Sequence, residues 1–282
     1  MNLLDNILQS TTELPPFPVV FQRALELIDD PKSSAQEVVD IIQYDPAITA
    51  KVLRTCNSAY FGLRRTVNSL REALVMIGFN QLLEIILSQE SVHLFKGSLK
   101  GYDLESGELW QHSVACAILS RIISKRLNRE VLPAHFTAAL LHDIGKMILS
   151  KFVKDYFEEI KKLVQNKKFS FIEAEKEILG IDHAELGGRI IEQWKFPEVI
   201  VSAVRYHHAP YLSPENTEAV QLVYLCDLVA IMIGIGGGAD GLSYHAYDGV
   251  MKQYQLKEKD IERFMIQLDD RFQLVKETLG VR

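Results

Sequence analysis

Seven side chains in this sequence carry imidazole or carboxylate in otherwise apolar runs: His112, His142, Asp143, His183, His207, His208 and Asp227. His142 and Asp143 are adjacent in "AALLHDIGKMIL" (138–149), a stretch that reads as a buried helix. His112 lies in "WQHSVACAILSRII", on the helix face shared with Ala115, Cys116 and Leu119. His207 and His208 close "PEVIVSAVRYHH", and Asp227 is the one charge in "LVYLCDLVAIM". Burying an unpaired carboxylate costs several kcal/mol or forces it to take up a proton. Taken singly, each histidine reads as a hydrogen-bonded core residue, and Asp227 as the partner of an arginine. Taken together, each would need its own satisfying group, and one metal centre supplies all of them. Imidazole with carboxylate suits iron, manganese, zinc or nickel better than magnesium or calcium.

Lys146 follows His142 by four residues and Asp143 by three, so a helix puts all three on one face. There it could hold a phosphate oxygen as a point charge. The competing reading is a lysine that snorkels to the surface.

The elements that must position these residues read as helices throughout. Ser34 with Glu37, Ser69 with Glu72 and Asp182 with Glu185 fit capping boxes before apolar-periodic runs. Asp45-Pro46 fits an N-cap followed by proline at the first helical position. Pro197 opens one run and Pro210 ends it, and sustained strand alternation is absent. The expectation is an all-α protein. A boundary is expected in "KGSLKGYDLESGEL" (96–109), which separates an N-terminal helical module (1–95) from the helices that hold the seven residues (96–282). The glycine-rich "GIGGGADG" (234–241) lacks the Gly-Lys-Ser/Thr of a phosphate loop and reads as a flexible turn.

The 282 residues are 48% hydrophobic and 24% charged, with a net charge of −6 and a pI near 5.8, which disfavours DNA as a partner. Cys56, Cys116 and Cys226 are odd in number and far apart, as in a reduced, cytoplasmic chain. "MNLLDNILQS" has no basic segment of a secretory signal. The apolar run 219–239 is interrupted by Gln221 and Asp227, which points to a buried helix rather than a membrane span. Between Lys51 and Arg71 lie five cations, Lys51, Arg54, Arg64, Arg65 and Arg71, with Tyr60 and Phe61 and no acid. They form either a patch for a partner or an anionic ligand, or an ordinary solvated face.

The order His, His-Asp, His, His-His, Asp resembles the metal-dependent HD phosphohydrolase superfamily, and the separate His183 with the His207-His208 pair resembles its dinuclear HD-GYP branch. The N-terminal half is more specific. "ELPPFPVVFQRALELIDDP", "VVDIIQYDPAITAKVLRTCNSAYFG" and "NSLREALVMIGFNQLLEIILS" are similar to the HDOD domain, the HD-related output domain of bacterial signalling proteins, over about residues 13–210. The resemblance implies an N-terminal helical module followed by an HD-like bundle. It also implies one or two divalent transition-metal ions, with iron or manganese favoured and zinc or nickel allowed. His112, His142, Asp143 and Asp227 would hold one ion, and Asp143, His183, His207 and His208 a second. Asp143 and Lys146 would be the catalytic residues, acting on a phosphate ester or diester. The chain departs from the HD-GYP branch in reading "YHHAPYLSPEN" after the histidine pair, without a Gly-Tyr-Pro signature, so cyclic di-GMP does not carry over as substrate. Two functions are therefore expected to compete: a signalling output protein with a metal-dependent phosphohydrolase centre, and a non-catalytic scaffold that acts through protein–protein contacts with a signalling partner.

Overall fold

The structure is a computed structural model, and it describes residues 3–11, 35–36, 39, 46–58, 61–95, 97–130, 132–167, 169–236, 238, 252 and 254–279. Among these no strand forms, and the one β-bridge joins Leu99 to Leu104. The all-α expectation holds. Among the described residues, the N-terminal part holds α1 (Leu3–Ser10), α2 (Pro46–Cys56), α3 (Leu70–Ile77) and α4 (Phe79–Leu94). A 3₁₀ turn at Lys100–Tyr102 leads to α5 (Glu108–Arg126), α6 (Pro133–Leu141) and α7 (Lys146–Asp155). Then follow α8 (Phe157–Lys167), α9 (Phe171–Leu179), α10 (His183–Gln193), α11 (Glu198–Tyr206), α12 (Thr217–Ile233) and α13 (Glu258–Leu279).

The caps show why the chain breaks where it does. Ser69 accepts from the backbone N–H of Glu72, while the Glu72 carboxylate turns to Asn68 rather than closing the box. Asp182 accepts from the N–H of Glu185 at 2.7 Å and starts α10 on His183. Pro46 takes the first position of α2, as expected. Ser34, Glu37, Asp45 and Tyr60 lie outside the described residues.

α5 and α12 are buried on nearly every face: Leu109 to Ser124 in the first and Ala219 to Ala230 in the second are almost all core. No helix among the described residues is long and apolar enough to cross a membrane. α6 packs on α5, α11 and α12, and also on α4 of the N-terminal group. α10 lies against α11 and touches α7. The segment 97–109 is well anchored, for Tyr102 and Leu104 in it are buried.

One expectation needs correction. The stretch 138–149 is not a single helix: α6 stops at Leu141, and His142–Gly145 form a turn before α7. The turn is tightened by i→i−3 bonds, Ile144 N–H to the Leu141 carbonyl and Lys146 N–H to the Asp143 carbonyl, both at 3.0 Å. The physical reason lies at Gly145. A Cβ there would stand 2.0 Å from the His183 carbonyl oxygen, so the turn is seated directly on the start of α10.

Candidate metal centre

The tight turn sets the centre. With about three residues per turn, Asp143 and Lys146 eclipse one another, and Lys146 Nζ donates to Asp143 Oδ2 at 2.7 Å. Lys146 is 3% exposed, which removes the surface-lysine reading. His142 comes off the same turn, His112 off α5, Asp227 off α12, His183 off the first position of α10, and His207 and His208 off the end of α11. All seven side chains converge.

Four of the rings are oriented by the same device. His112 Nδ1 meets the Ile235 carbonyl at 2.9 Å, His142 Nδ1 the Ala139 carbonyl at 2.8 Å, and His207 Nδ1 the Val204 carbonyl at 2.7 Å. His183 Nδ1 meets Glu175 Oε2 at 2.8 Å. Carbonyls and carboxylates only accept, so each Nδ1 carries a proton and each Nε2 is the nitrogen that faces inward. The consequence is a set of close approaches that neutral rings could not sustain alone. His112 and His142 face each other Nε2 to Nε2 at 3.2 Å, and His183 Nε2 and His208 Nε2 stand 2.9 Å apart.

Asp143 divides its two oxygens between the two sets of rings. Oδ2 lies 3.4 Å from His142 Nε2 and 3.6 Å from His112 Nε2; Oδ1 lies 3.4 Å from His183 Nε2 and 3.8 Å from His207 Nε2. Asp227 Oδ1 is 3.0 Å from His112 Nε2. Two atoms, Asp143 Oδ1 and His207 Nε2, are buried with no hydrogen-bond partner. Orphaned groups of this kind, an anionic oxygen and an imidazole lone pair facing one point, are what a cation would satisfy. The donors fall into two groups that could hold a metal ion, His112 with Cys116, His142 and Asp227, and Asp143 with His183, His207 and His208. The residues present therefore fit a metal.

The charges agree. Burial alone would raise the Asp143 carboxyl, but His142 and Lys146 hold it well below the usual carboxylate range. Burial would likewise raise Asp227, and the His112 and His142 rings beside it hold it low. Burial opposes protonation of His142, yet the Asp143 carboxylate outweighs it and lifts the ring to about 10. Two imidazoliums cannot face each other across 3.2 Å, so the His112–His142 pair holds one proton between them. His207 is pushed down to about 3 by burial and then by the charge at His142.

Sequence reasoning missed three contributors. Glu175, fully buried, accepts from both the Nδ1 and the backbone N–H of His183, and Tyr102 donates its hydroxyl to the other Glu175 oxygen. Its signal was present: Phe171, Glu175 and Leu179 recur every four residues, so Glu175 sits on the apolar stripe of α9. Cys116, noted only as a face neighbour, brings its Sγ to 3.7 Å from His112 Nε2. The "GIGGGADG" segment is a turn as far as it is described, with Gly234 in the left-handed conformation that closes α12. It also supplies the Ile235 carbonyl to His112, a backbone role that no side-chain pattern announces.

The centre meets solvent through His208, whose side chain is 12% exposed and lines an open groove of about 600 Å³. Lys176, Arg189 and Arg205 line that groove in ion pairs with Asp182, Glu185 and Glu192.

The HDOD domain model matches residues 14–210. An uncharacterized protein of Treponema pallidum (strain Nichols) is 24% identical over 224 residues, which are 76% of this chain and 41% of that protein, so the chain spans well under half of its relative. Among solved structures, an HDOD domain protein of unknown function from Geobacter sulfurreducens is 27% identical with a TM-score of 0.76, covering 98% of this chain and 97% of that one. A candidate phosphohydrolase of Shewanella amazonensis SB2B (22% identical, TM-score 0.63, 93% and 97% covered) shares the fold. So does a candidate signal transduction protein of Marinobacter aquaeolei VT8 (22%, TM-score 0.70, 97% and 60% covered).

Proposed function

The chain belongs to the HDOD family, and from that premise we propose that it is a bacterial signal-transduction output protein with a dinuclear metal centre that hydrolyses a phosphate ester or diester. The observation that carries this reading is the division of Asp143, one oxygen toward His112 and His142 and the other toward His183 and His207. That is the arrangement a bridging carboxylate needs. The names of two solved relatives, a phosphohydrolase and a signal transduction protein, point the same way. Iron or manganese suits the imidazole-rich set of His183, His207 and His208 with Asp143. Bound there, divalent ions would supply Lewis acidity toward a phosphate oxygen and toward water.

The chain's own residues do the rest. Glu175 fixes the His183 ring. Lys146 neutralises Asp143 and stands ready to hold a phosphate oxygen. The groove beside His208 admits a phosphate, and because its cations and acids are balanced, the attraction comes from the centre rather than the walls. We also propose the division at 96–109, with residues 1–95 as the module that meets a signalling partner, and a cytoplasmic location.

The test is metal analysis of the purified full chain, followed by turnover of a generic phosphodiester and of cyclic dinucleotides after loading with iron or manganese. Two equivalents of metal and turnover that depends on them are the expected result. Full loading with no turnover would hand the function to the non-catalytic scaffold, and absence of any metal binding would remove the centre altogether.

A further inference from the structure

The two halves of the centre differ in one ligand type. Cys116 follows His112 by one helical turn on α5, and its sulfur points at the same space as the His112 and His142 Nε2 atoms and Asp227 Oδ1. The donor atoms of these four residues all lie within 4.8 Å of one another, and all four side chains are buried. The second half has no sulfur: Asp143, His183, His207 and His208 supply only oxygen and nitrogen, and His208 reaches the groove.

Building on the proposed metal centre, we propose that Cys116 is a ligand, as thiolate, to the ion held by His112, His142 and Asp227, and that this ion is structural while its neighbour faces substrate. Four reasons support the assignment. Four donors of its own beside the shared Asp143 oxygen leave this ion no open position, as in structural rather than catalytic sites. A thiolate selects zinc or another borderline-soft ion over manganese or magnesium, so the two positions would prefer different metals. This half has two anions of its own, the Asp227 carboxylate and the Cys116 thiolate, whereas the other has none beyond the Asp143 carboxylate that the two share, which leaves the positive excess where the groove opens. Finally, the sulfur already stands 3.7 Å from His112 Nε2, the nitrogen that would ligate the same ion. Binding exchanges the S–H bond of Cys116 for a metal–sulfur bond, and the proton leaves to solvent.

The experiment is spectroscopic and needs no substrate. The metal-free full chain is titrated with Co²⁺, and the near-ultraviolet thiolate-to-cobalt charge-transfer band is followed with the visible bands that report coordination number. The wild type should show the charge-transfer band for one equivalent of cobalt. Cys116→Ser should lose it while keeping its helical circular dichroism, and Cys56→Ser should keep it. Zinc affinity of Cys116→Ser, from chelator competition, should fall by more than the about 10–100-fold typical of outer-shell partners. Two equivalents of cobalt bound without a charge-transfer band, or a band that survives Cys116→Ser, would overturn the assignment and leave the dinuclear reading standing. Failure of the wild type to bind cobalt at all would overturn both. The wild-type spectrum alone decides the matter should Cys116→Ser not fold.

Discussion

His183 gives its Nδ1–H to Glu175 across 2.8 Å, and that bond decides which nitrogen of the ring faces Asp143. Glu175 is itself held by Tyr102, so a chain of two residues runs from the 3₁₀ turn through α9 to the centre. Glu175→Ala frees the ring to flip and strands its proton. Metal affinity should drop about 10–100-fold, with a smaller drop for Glu175→Gln, whose amide oxygen can still accept. Chelator competition measures it; equal affinities for wild type and Glu175→Ala would mean that the ring is fixed by packing alone.

Gly145 is needed for its missing side chain, since its own φ of −63° suits any residue. A methyl at this position would meet the His183 carbonyl at 2.0 Å and the Gly187 N–H at 2.8 Å. Backbone cannot step aside as a side chain can. Gly145→Ala should therefore destabilise by about 3 kcal/mol, the upper end of overpacking costs, and should loosen metal binding by moving α10 away from the turn. Denaturant midpoints of the metal-free and loaded proteins check both parts. A change of a few tenths of a kcal/mol would show that the turn and α10 are not in close contact.

Much of this centre was legible because metal ligands on buried helices violate the local pattern. His112, His142, Asp143, His183, His207, His208 and Asp227 each interrupt apolar surroundings, and all seven converge. The break at His142–Gly145 was not legible. His142 and Gly145 keep helical dihedrals, and the turn is seated against α10, which begins nearly forty residues later in the chain. Glu175 was legible in principle from its four-residue spacing, but a glutamate one turn from a capping box passes for a surface residue. The roles of the Ile235, Ala139 and Val204 carbonyls were out of reach, since any residue type offers the same oxygen.

Metal binding should release protons at neutral pH. With no metal, the carboxylate of Asp143 holds His142 protonated up to about 10 against the pull of burial. A ligand nitrogen must be deprotonated, so affinity should rise with pH until pH passes about 10. The sign for the metal-free fold is opposite: a raised pKa gives stability that is complete below about 6.5 and is lost as pH rises through 10. Calorimetry in buffers of different ionisation enthalpy counts the released protons at pH 7. A count of zero would show that His142 is neutral before metal arrives.

Arg54, Arg64 and Arg65 are exposed beside α2 and the loop that follows it. Reversing each to glutamate should alter stability by no more than about 0.5 kcal/mol, while weakening capture of an acidic partner at low salt. Thermal melts of the three variants are the check. A loss of several degrees in each would make these side chains part of the fold rather than of a docking face.

The Lys146–Asp143 pair separates a catalytic lysine from a structural one. Both side chains are buried, 4% and 1% exposed, so removing the lysine leaves the Asp143 anion with only the proton at His142 to offset it. Breaking a buried pair outright costs about 3–5 kcal/mol, and the cost is smaller where another charge neutralises the carboxylate. Bound metal does so. Lys146→Met should therefore melt early when metal-free and recover most of that loss when loaded, with the metal content unchanged. If Lys146 also holds the phosphate, the loaded variant should turn over about 100-fold more slowly, as expected when one electrostatic contact to the transition state is lost. Asp143→Ala should lose metal and turnover together, because it removes an oxygen from each side of the centre. A Lys146→Met protein that is fully loaded, as stable as wild type and equally active would show that the lysine serves only the metal-free fold.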